Sequence, residues 1–282
     1  MIPAAFDYAR ADSADEALSL LAQHGDEAKL LAGGHSLLPL MKLRLATPTV
    51  LIDVAPITEL SYIRTDGDQV RIGALTRHAD VEHSDVLAAE VPLLPYATAQ
   101  VGDRQVRHRG TIGGSIAHGD AASDLPAAVL ALGGSMVVRG PAGERVVSAA
   151  DFFVGFLETA LAPDEVLTEI RVPRMPGAGW SYQKFVKRAS DWAIVGAAVV
   201  RNGTTGVALV NMGTTPLRAS TVESALASGA TDADAAAHAA EGTAASADNH
   251  ASVKYREHLA RVLVRRGLEE VASRRPSTLE RT

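Results

Sequence analysis

Ala32-Gly33-Gly34-His35-Ser36 and Thr111-Ile112-Gly113-Gly114-Ser115 are the two stretches on which the interpretation of this chain depends. Each contains two adjacent glycines with a serine close behind them. Glycine lets the backbone adopt φ > 0 and approach a ligand closely. Successive N–H groups in such a turn form a concave nest for an anion. Each stretch therefore predicts a phosphate-binding turn, with an ordinary structural turn as the alternative.

Two such turns in one chain fit a ligand with two phosphates better than either turn does alone. The better-known phosphate motifs are absent from the sequence. It has no G-x-G-x-x-G and no G-x-x-x-x-G-K-[ST], so a Rossmann dinucleotide site and a P-loop receive no support. Residues 113–117 fail the G-x-S-x-G nucleophile elbow at their last position. His35 and His118 lack the i,i+4 partner of a helical zinc site, and we predict no metal site and no catalytic residue in this chain.

Composition excludes several classes of protein. The 282 residues carry a formal net charge of −6, and the one basic segment, Arg261 to Arg275, is diluted by Glu269 and Glu270. Nucleic-acid binding is therefore not expected. The chain has no cysteine, so a cysteine-held iron–sulfur cluster is excluded here. We find no signal peptide and no apolar run near the ~20 residues of a membrane span, and we expect a cytoplasmic protein.

Periodicity predicts an α+β protein in two parts. A capping-box spacing at residues 13–16 opens a helix, and strands are expected at 29–32 and 50–53. Hairpins are expected around 65–68 and 140–143, helices near 76–83, 92–101 and 121–132, and a strand at 165–172. A cluster of Pro and Gly at 173–179 is the predicted domain boundary. Beyond it the pattern indicates three strands (181–187, 193–201, 206–212), then helices at 219–227, 232–240 and 252–273.

The final predicted helix has Tyr255, Leu259, Val262 and Leu263 on one face. The segment from Thr231 to Asn249 before it is rich in alanine and short of bulky apolar residues. It is predicted to be either loosely packed or a surface segment of the C-terminal part.

Ala32 to Pro39 and Thr111 to His118 resemble the two FAD signatures of the medium subunit of molybdenum hydroxylases, the xanthine dehydrogenase and carbon monoxide dehydrogenase family. The resemblance covers nearly the whole chain and is closest to the carbon monoxide dehydrogenase type. It implies a FAD-binding domain of the PCMH (vanillyl-alcohol oxidase-like) type at 1–176, with subdomains of about 1–55 and 56–176. A smaller α+β domain would follow at 177–282, with a three-stranded sheet and helices.

The same resemblance implies a heterotrimeric enzyme. A large subunit would hold a molybdenum–pterin cofactor and oxidise the substrate, and a small subunit would carry two [2Fe–2S] clusters. This chain would hold FAD and pass electrons to an external acceptor. The assembly would be a dimer of heterotrimers. Carbon monoxide is the first substrate expected, and an aldehyde or an N-heteroaromatic compound is the alternative.

The family's cofactor contacts carry over to residues of this sequence. The pyrophosphate contacts fall on Ala32, Gly33, Gly34, His35, Ser36 and Leu37, and on Thr111, Ile112, Gly113, Gly114 and Ser115. Asp124 matches a carboxylate near the ribityl chain, and Lys184 a cation near the flavin ring. Such a cation would favour the anionic reduced flavin and raise its potential. Trp192 matches an aromatic residue beside the ring, and Leu167 an apolar residue of the pocket.

Each of these side chains also has a plainer interpretation. Asp120 or Ser123 is a candidate helix cap in the polar stretch before Asp124. Lys184 is alternatively a solvated strand lysine, and Trp192 and Leu167 are alternatively core residues.

Two other functions remain as rivals. One is a stand-alone FAD-dependent oxidase or reductase of the same fold. The other is a hydrolase using Ser115 with His118 or Ser36 with His35, although neither pair has an identifiable orienting acid.

Overall fold

The computed structural model describes residues 2–273. Met1 and residues 274–282 lie outside the described part, so Arg275 and the predicted end of the C-terminal domain are not placed. Within residues 2–273, no helix is both long and apolar enough to cross a membrane.

The N-terminal subdomain is built around a small parallel sheet in the order β1-β3-β2. Its elements are β1 (Asp7–Arg10), α1 (Ala14–His24), β2 (Ala28–Leu31), α2 (Leu37–Lys42) and β3 (Val50–Asp53). Helix α1 begins where predicted, because Ser13 Oγ accepts a hydrogen bond of 3.1 Å from the Glu16 amide. Strand β2 ends at Leu31, one residue earlier than predicted, so the chain enters the first glycine stretch at the end of a buried strand.

A second subdomain contains an antiparallel sheet in the order β4-β5-β10-β6-β7. The strands of this subdomain are β4 (Ile63–Asp66), β5 (Gln69–Gly73), β6 (Ser135–Gly140), β7 (Gly143–Ser148), β8 (Phe153–Gly155), β9 (Glu158–Thr159) and β10 (Val166–Pro173). Strands β8 and β9 pair with each other in a separate two-stranded sheet. Its helices are α3 (His78–Glu82), α4 (Asp85–Glu90), α5 (Leu93–Ala99), α6 (Arg104–Arg109), α7 (Ile112–His118), α8 (Asp124–Ala131) and α9 (Ala149–Phe152). Both predicted hairpins are present, as β4–β5 and β6–β7.

The second glycine stretch is not the free-standing turn that the sequence predicts. Thr111 caps helix α7, and Gly113, Gly114 and Ser115 lie inside its first turns. Glycine is needed at this position of the helix because a side chain would collide with the neighbouring backbone. A Cβ on Gly113 would lie 2.5 Å from the carbonyl oxygen of Ala74. Close packing therefore explains this glycine without requiring a ligand beside it.

The C-terminal part consists of an antiparallel sheet in the order β11-β12-β13-β14 with helices beside it. Its elements are β11 (Gly179–Phe185), β12 (Val195–Asn202), β13 (Thr204–Val210), β14 (Leu217–Arg218), α10 (Ser220–Ala227), α11 (Asp232–Ala237) and α12 (Val253–Ser273). The sequence predicts three strands, and the described residues add β14 as a fourth. This strand is only two residues long, too short for an alternating pattern to reveal it.

Helix α12 buries a face that overlaps the predicted one only in part. Leu259 and Leu263 are buried, but Tyr255 is exposed and its neighbour Arg256 is buried. Arg256 donates to the Ile194 carbonyl oxygen and to Asp248, at 2.5 Å from the carboxylate. These bonds explain how a charged side chain occupies a position that an apolar residue would ordinarily take.

The alanine-rich segment is partly packed rather than wholly at the surface. Helix α11 ends at Ala237, three residues before the predicted end, and Ala235, Ala236 and Ala239 join the core beneath α12. Small side chains let this segment lie close to the sheet.

The central helix α8 joins the two parts of the molecule. Every residue of α8 is buried. Residues Ala198 and Val200 of β12 face the same core as α8, while Ala197 and Val199 face the core under α12. The approach is closest at Gly206, where a Cβ would lie 2.2 Å from the Ala131 carbonyl oxygen. The C-terminal sheet is therefore covered on both faces, and its first strand is held beside the second subdomain.

Candidate functional site

A cleft of about 1010 Å³ runs between the subdomains and the edge of the C-terminal sheet. This volume is at the upper end of the range of cofactor sites, roughly 300–1,000 Å³. Ile112 is the one predicted site residue that does not line the cleft, because its side chain is fully buried in the core. The predicted residues that line it are Ala32, Gly33, Gly34, His35, Ser36, Leu37, Thr111, Gly113, Gly114, Ser115, Asp124, Leu167, Lys184 and Trp192.

The first glycine stretch forms an open loop between β2 and α2. Gly34 has φ +81°, a conformation that an L side chain rarely adopts. The backbone amides of Gly33 to Leu37 donate to no acceptor among the described residues. Ser36 is the N-cap residue of α2, but its side chain accepts no capping hydrogen bond from the amides of that helix. The loop therefore presents a row of unused donors, as an anion nest requires.

The second glycine stretch differs, because its amides are already paired inside the protein. The Ile112 amide donates to Thr76 O at 3.0 Å and the Gly113 amide to Ala74 O at 2.8 Å. The Gly114 amide donates to Thr111 Oγ1 at 3.1 Å. What this stretch offers the cleft is the side chain of Ser115 and the small surface of its glycines. The prediction of two equivalent nests is wrong in this respect.

The two glycine stretches touch each other. A Cβ placed on Gly33 would lie 2.4 Å from the carbonyl oxygen of Arg109 and 2.8 Å from Cα of Gly110. Any side chain at residue 33 would push the first loop away from the second. The absence of side chains at Gly33 and Gly110 thus brings both stretches to one end of the cleft.

A buried ion pair crosses from the second subdomain to the C-terminal sheet. Lys184 Nζ lies 2.9 Å from Asp124 Oδ2, and the two side chains are only 7% and 6% exposed. Lys184 also donates to the Gln100 carbonyl oxygen at 2.8 Å. The Tyr182 hydroxyl donates to the other oxygen of Asp124 at 2.5 Å. Lys184 is therefore not the solvated strand lysine of the alternative interpretation.

Burial has two effects on this cluster. It raises the pKa of Asp124 above the usual range, while the charge of Lys184 and the hydrogen bond from Tyr182 act in the opposite direction. Burial, with the Asp124 carboxylate, also raises the pKa of Tyr182 well above its ordinary value. Tyr182 thus stays a phenol and a donor. The cation that faces the cleft is matched by a carboxylate, so the net charge of the pair is close to zero.

Trp192 lies on the rim of the cleft. Its side chain is 58% exposed, so the alternative of core packing is wrong. It follows Asp191, whose carboxylate pairs with Arg188 at 3.0 Å across a turn in which Ser190 has φ 66°. Leu167 is buried on strand β10 yet still lines the cleft, so it serves the core and the wall together.

Sequence reasoning misses two parts of the site. Residues 157–159, 161–163 and 165–166, which include β9 and the connection to β10, form a further wall, and no motif in them points to it. His78 on α3 also lines the cleft, although it lies 33 residues before the second glycine stretch. Burial lowers the pKa of His78 to about 4, so its ring is neutral near pH 7. A lone histidine after Thr76-Arg77 carries no local signal that distinguishes it from any other.

Two known protein families match this chain, one over each of its two parts. Residues 4–175 match the family described as the FAD binding domain in molybdopterin dehydrogenase, and residues 180–271 match the CO dehydrogenase flavoprotein C-terminal domain. The chain belongs to this flavoprotein family. The chain is accordingly a FAD-binding flavoprotein, and the α+β fold with an FAD-binding domain followed by a C-terminal flavoprotein domain is confirmed.

Three relatives of this flavoprotein align with 71% to 98% of its length. It is 40% identical to the carbon monoxide dehydrogenase medium chain of Afipia carboxidovorans, over 97% of this chain and 99% of the other. It is 42% identical to the glyceraldehyde dehydrogenase medium chain of Sulfolobus acidocaldarius, over 71% and 70% of the two chains. Its structure superposes on a chain of carbon monoxide dehydrogenase from Hydrogenophaga pseudoflava with a TM-score of 0.95 and 43% identity, covering 98% and 100% of the two chains.

The residues of the cleft fit FAD. Five consecutive free amides and the Ser36 hydroxyl suit an anionic diphosphate. The buried pair of Lys184 and Asp124 supplies a cation and acceptor oxygens farther along the cleft. When bound, FAD supplies one- and two-electron chemistry, and the chain supplies binding, orientation and electrostatics. In the part of the chain that the structure describes, no group of His, Asp and Glu side chains is arranged to hold a metal ion.

Proposed function

We propose that this flavoprotein is the electron-transfer subunit of a heterotrimeric molybdenum hydroxylase. It takes electrons from [2Fe–2S] clusters on a small partner subunit and passes them through FAD to an external acceptor. A large partner subunit holds the molybdenum–pterin cofactor and oxidises the substrate. The observation that carries the proposal is the cleft, which joins free amides for a diphosphate to a buried cation and an exposed aromatic side chain.

The composition of the chain supports this division of labour. The sequence has no cysteine, so the iron–sulfur clusters that deliver electrons belong to another chain. The rival hydrolase has little support, since neither Ser115 with His118 nor Ser36 with His35 forms a hydrogen bond among the described residues. Without that bond, a nucleophile and its base are not paired.

The cofactor contacts are proposed as follows. The amides of Ala32 to Leu37 bind the diphosphate, with Thr111 to Ser115 packed against it. Lys184 approaches the flavin ring, Trp192 covers one face of the ring, and Leu167 packs beside it. Asp124 accepts from the ribityl chain while its carboxylate orients Lys184. The free amides and the ion pair support this arrangement.

Carbon monoxide is the proposed substrate of the complex, and an aldehyde or an N-heteroaromatic compound is the alternative. One relative is named for carbon monoxide and another for glyceraldehyde, although both are medium chains similar to this flavoprotein. Since a common flavin subunit serves different substrates, substrate choice falls to the large subunit. The cytoplasmic location and the dimer of heterotrimers stay predictions.

The test is co-expression of this chain with candidate large and small subunits from the same organism, followed by purification through a tag on this chain. We expect a complex that releases FAD on denaturation and oxidises carbon monoxide with an artificial dye as acceptor. Activity with aldehydes or N-heteroaromatics alone would replace carbon monoxide by the alternative. Turnover by the isolated chain with simple donors would favour a stand-alone oxidase, and a complex without flavin would refute the proposal.

A further inference from the structure

His78 occupies the junction of the two glycine stretches. It is the first residue of α3 and only 3% exposed, and its backbone amide donates to the Gly110 carbonyl oxygen at 2.9 Å. Its ring packs directly on Gly110, where an added Cβ would lie 2.9 Å from Nδ1. Gly110 is also the residue that Gly33 touches. The imidazole therefore lies at the end of the cleft where the free amides are.

Neither ring nitrogen of His78 has a partner with good hydrogen-bond geometry among the described residues, although the Thr111 backbone lies close enough to the ring to favour its protonated form. Arg71 and Arg256 also have a buried unpaired Nε, but each forms an ion pair through another nitrogen. A buried polar group without a partner destabilises the folded chain by roughly 1–3 kcal/mol. Unpaired groups of this kind are rare in native proteins and call for an explanation. Because the ring lines the cleft, a ligand in the cleft is positioned to supply the missing partner.

We propose that His78 is a further ligand of the FAD diphosphate, donating a ring N–H to a phosphate oxygen beside the amides of Gly33 to Leu37. The inference rests on the proposed FAD binding, and it adds to the phosphate site a side chain from α3, outside both glycine stretches. The ring donates through one nitrogen in its neutral form and through both nitrogens once it is protonated.

The charges around His78 predict how its protonation responds to the ligand. Its pKa is lowered to about 4, mainly by burial and further by the positive charges of His35, Arg107 and Arg77, while the Thr111 backbone acts in the opposite direction. Arg107 is itself paired with Glu82 at 2.6 Å, and Arg109 lies beside Arg77. A bound diphosphate adds negative charge at the ring and so raises its pKa. The complex therefore binds more protons than the empty protein, and FAD affinity increases as the pH falls from neutral toward about 4.

The first experiment compares His78→Leu and His78→Gln with the wild-type full-length chain after its FAD has been removed. We measure the Kd of FAD and of riboflavin, which has no phosphate. Loss of a charge-assisted hydrogen bond should weaken FAD binding by about tenfold to a hundredfold for His78→Leu. Riboflavin binding should stay within twofold of wild type. His83→Gln is the matched control, because His83 is the C-cap of the same helix with its side chain 75% exposed, and it should leave both Kd values unchanged.

Two further readouts separate a ligand from a structural residue. The melting temperature of the FAD-free His78→Leu variant should equal or exceed that of the wild type, since an unpaired buried polar group has been removed. Calorimetry of FAD binding at about pH 6, in two buffers of different ionisation enthalpy, should show fewer protons taken up by His78→Gln than by the wild type. His35 and His118 also line the cleft, so the difference between the two proteins is the quantity measured.

The outcomes decide between distinct conclusions. An FAD Kd within twofold of wild type in both variants overturns the inference, as does an equal loss for riboflavin and FAD. A lowered melting temperature of the FAD-free variant with unchanged proton uptake would assign His78 a structural role instead. If the wild-type chain itself binds no FAD, the proposed function fails, and that result is distinct from a failure of His78.

Discussion

Replacement of Lys184 by methionine tests the buried ion pair that joins the second subdomain to the C-terminal sheet. Methionine keeps most of the length and apolar surface of lysine and removes its charge. Asp124 would then keep only the Tyr182 hydroxyl as a partner, at a position where its side chain is 6% exposed. Removal of one member of a buried pair typically destabilises a protein by about 3–5 kcal/mol. We expect a loss of about 3 kcal/mol in the FAD-free chain at pH 8.

The loss should depend on pH with a definite sign. Burial already raises the pKa of Asp124, and the charge of Lys184 is the strongest influence that lowers it. Without Lys184 the pKa of Asp124 rises further, so the folded protein binds a proton that the unfolded chain has released. The deficit relative to wild type is smallest below the already raised folded-state pKa of Asp124 in the wild type. Above that pH it grows by up to about 1.4 kcal/mol per pH unit, until Asp124 ionises in the folded variant as well. The deficit is therefore smaller at pH 5 than at pH 8.

Urea unfolding of the FAD-free chain between pH 5 and pH 8 measures this effect, with Trp180 on β11 as the fluorescent reporter. Arg265→Met is the matched control, because Arg265 pairs with Glu269 at 2.8 Å on the exposed face of α12, with 61% and 55% of the side chains exposed. It should lose less than about 0.5 kcal/mol and show no new pH dependence. The reasoning is refuted if Lys184→Met loses no more than this control at pH 8, or equal amounts at pH 5 and pH 8.

Three further predictions follow from the site and its surroundings. Gly33→Ala should weaken FAD binding by at least about tenfold, since its Cβ would lie 2.4 Å from Arg109 O. Gly213→Ala, whose Cβ would lie 3.7 Å from Thr215 O, should not weaken it, and equal Kd values for the two variants would contradict this reasoning. Trp192→Ala should change the stability of the FAD-free chain by less than about 0.5 kcal/mol, because the side chain is exposed. In the FAD-loaded chain it should increase flavin fluorescence, because an indole in contact with the flavin ring quenches its emission, and unchanged emission would argue against that contact. Tyr62→Phe should destabilise the chain by about 1.5–3 kcal/mol in urea unfolding, because the Tyr62 hydroxyl donates to buried Glu169 at 2.6 Å. Burial raises the pKa of Tyr62 to about 12, so the hydroxyl stays a donor, and a loss below about 0.5 kcal/mol would contradict this prediction.

Much of the fold was accessible from local patterns. The hairpins β4–β5 and β6–β7 were predicted because alternation and turn residues act over a few positions. Elements set by distant contacts were predicted less well. Strand β14 is only two residues long and exists because it pairs with β13. The buried Arg256 on α12 depends on Asp248 and the Ile194 carbonyl oxygen, one of them 62 residues away, which periodicity cannot detect.

The candidate site shows the same division. The sequence located the stretches that line the cleft, since two adjacent glycines with a serine close behind them can be recognised from residue type and spacing alone. It did not show that Gly113 and Gly114 differ from them, because that depends on whether acceptors elsewhere in the chain reach their amides. Ala74 lies far from Gly113 in sequence, yet it accepts the Gly113 hydrogen bond.

By itself, the sequence determined which chemical groups the chain can offer: the glycine pairs at 33–34 and 113–114 with a serine near each, the strand lysine Lys184, and no cysteine to hold a cluster. Those are properties of residue type and spacing, and the comparisons with related flavoproteins agree with them. Only the tertiary structure decided which groups are free to bind. It left five amides of the first loop open, closed those of the second, paired Lys184 with Asp124 and buried His78 without a partner. The physical reason is that a hydrogen bond or an ion pair depends on distance in space, and the fold brings together residues that the sequence separates.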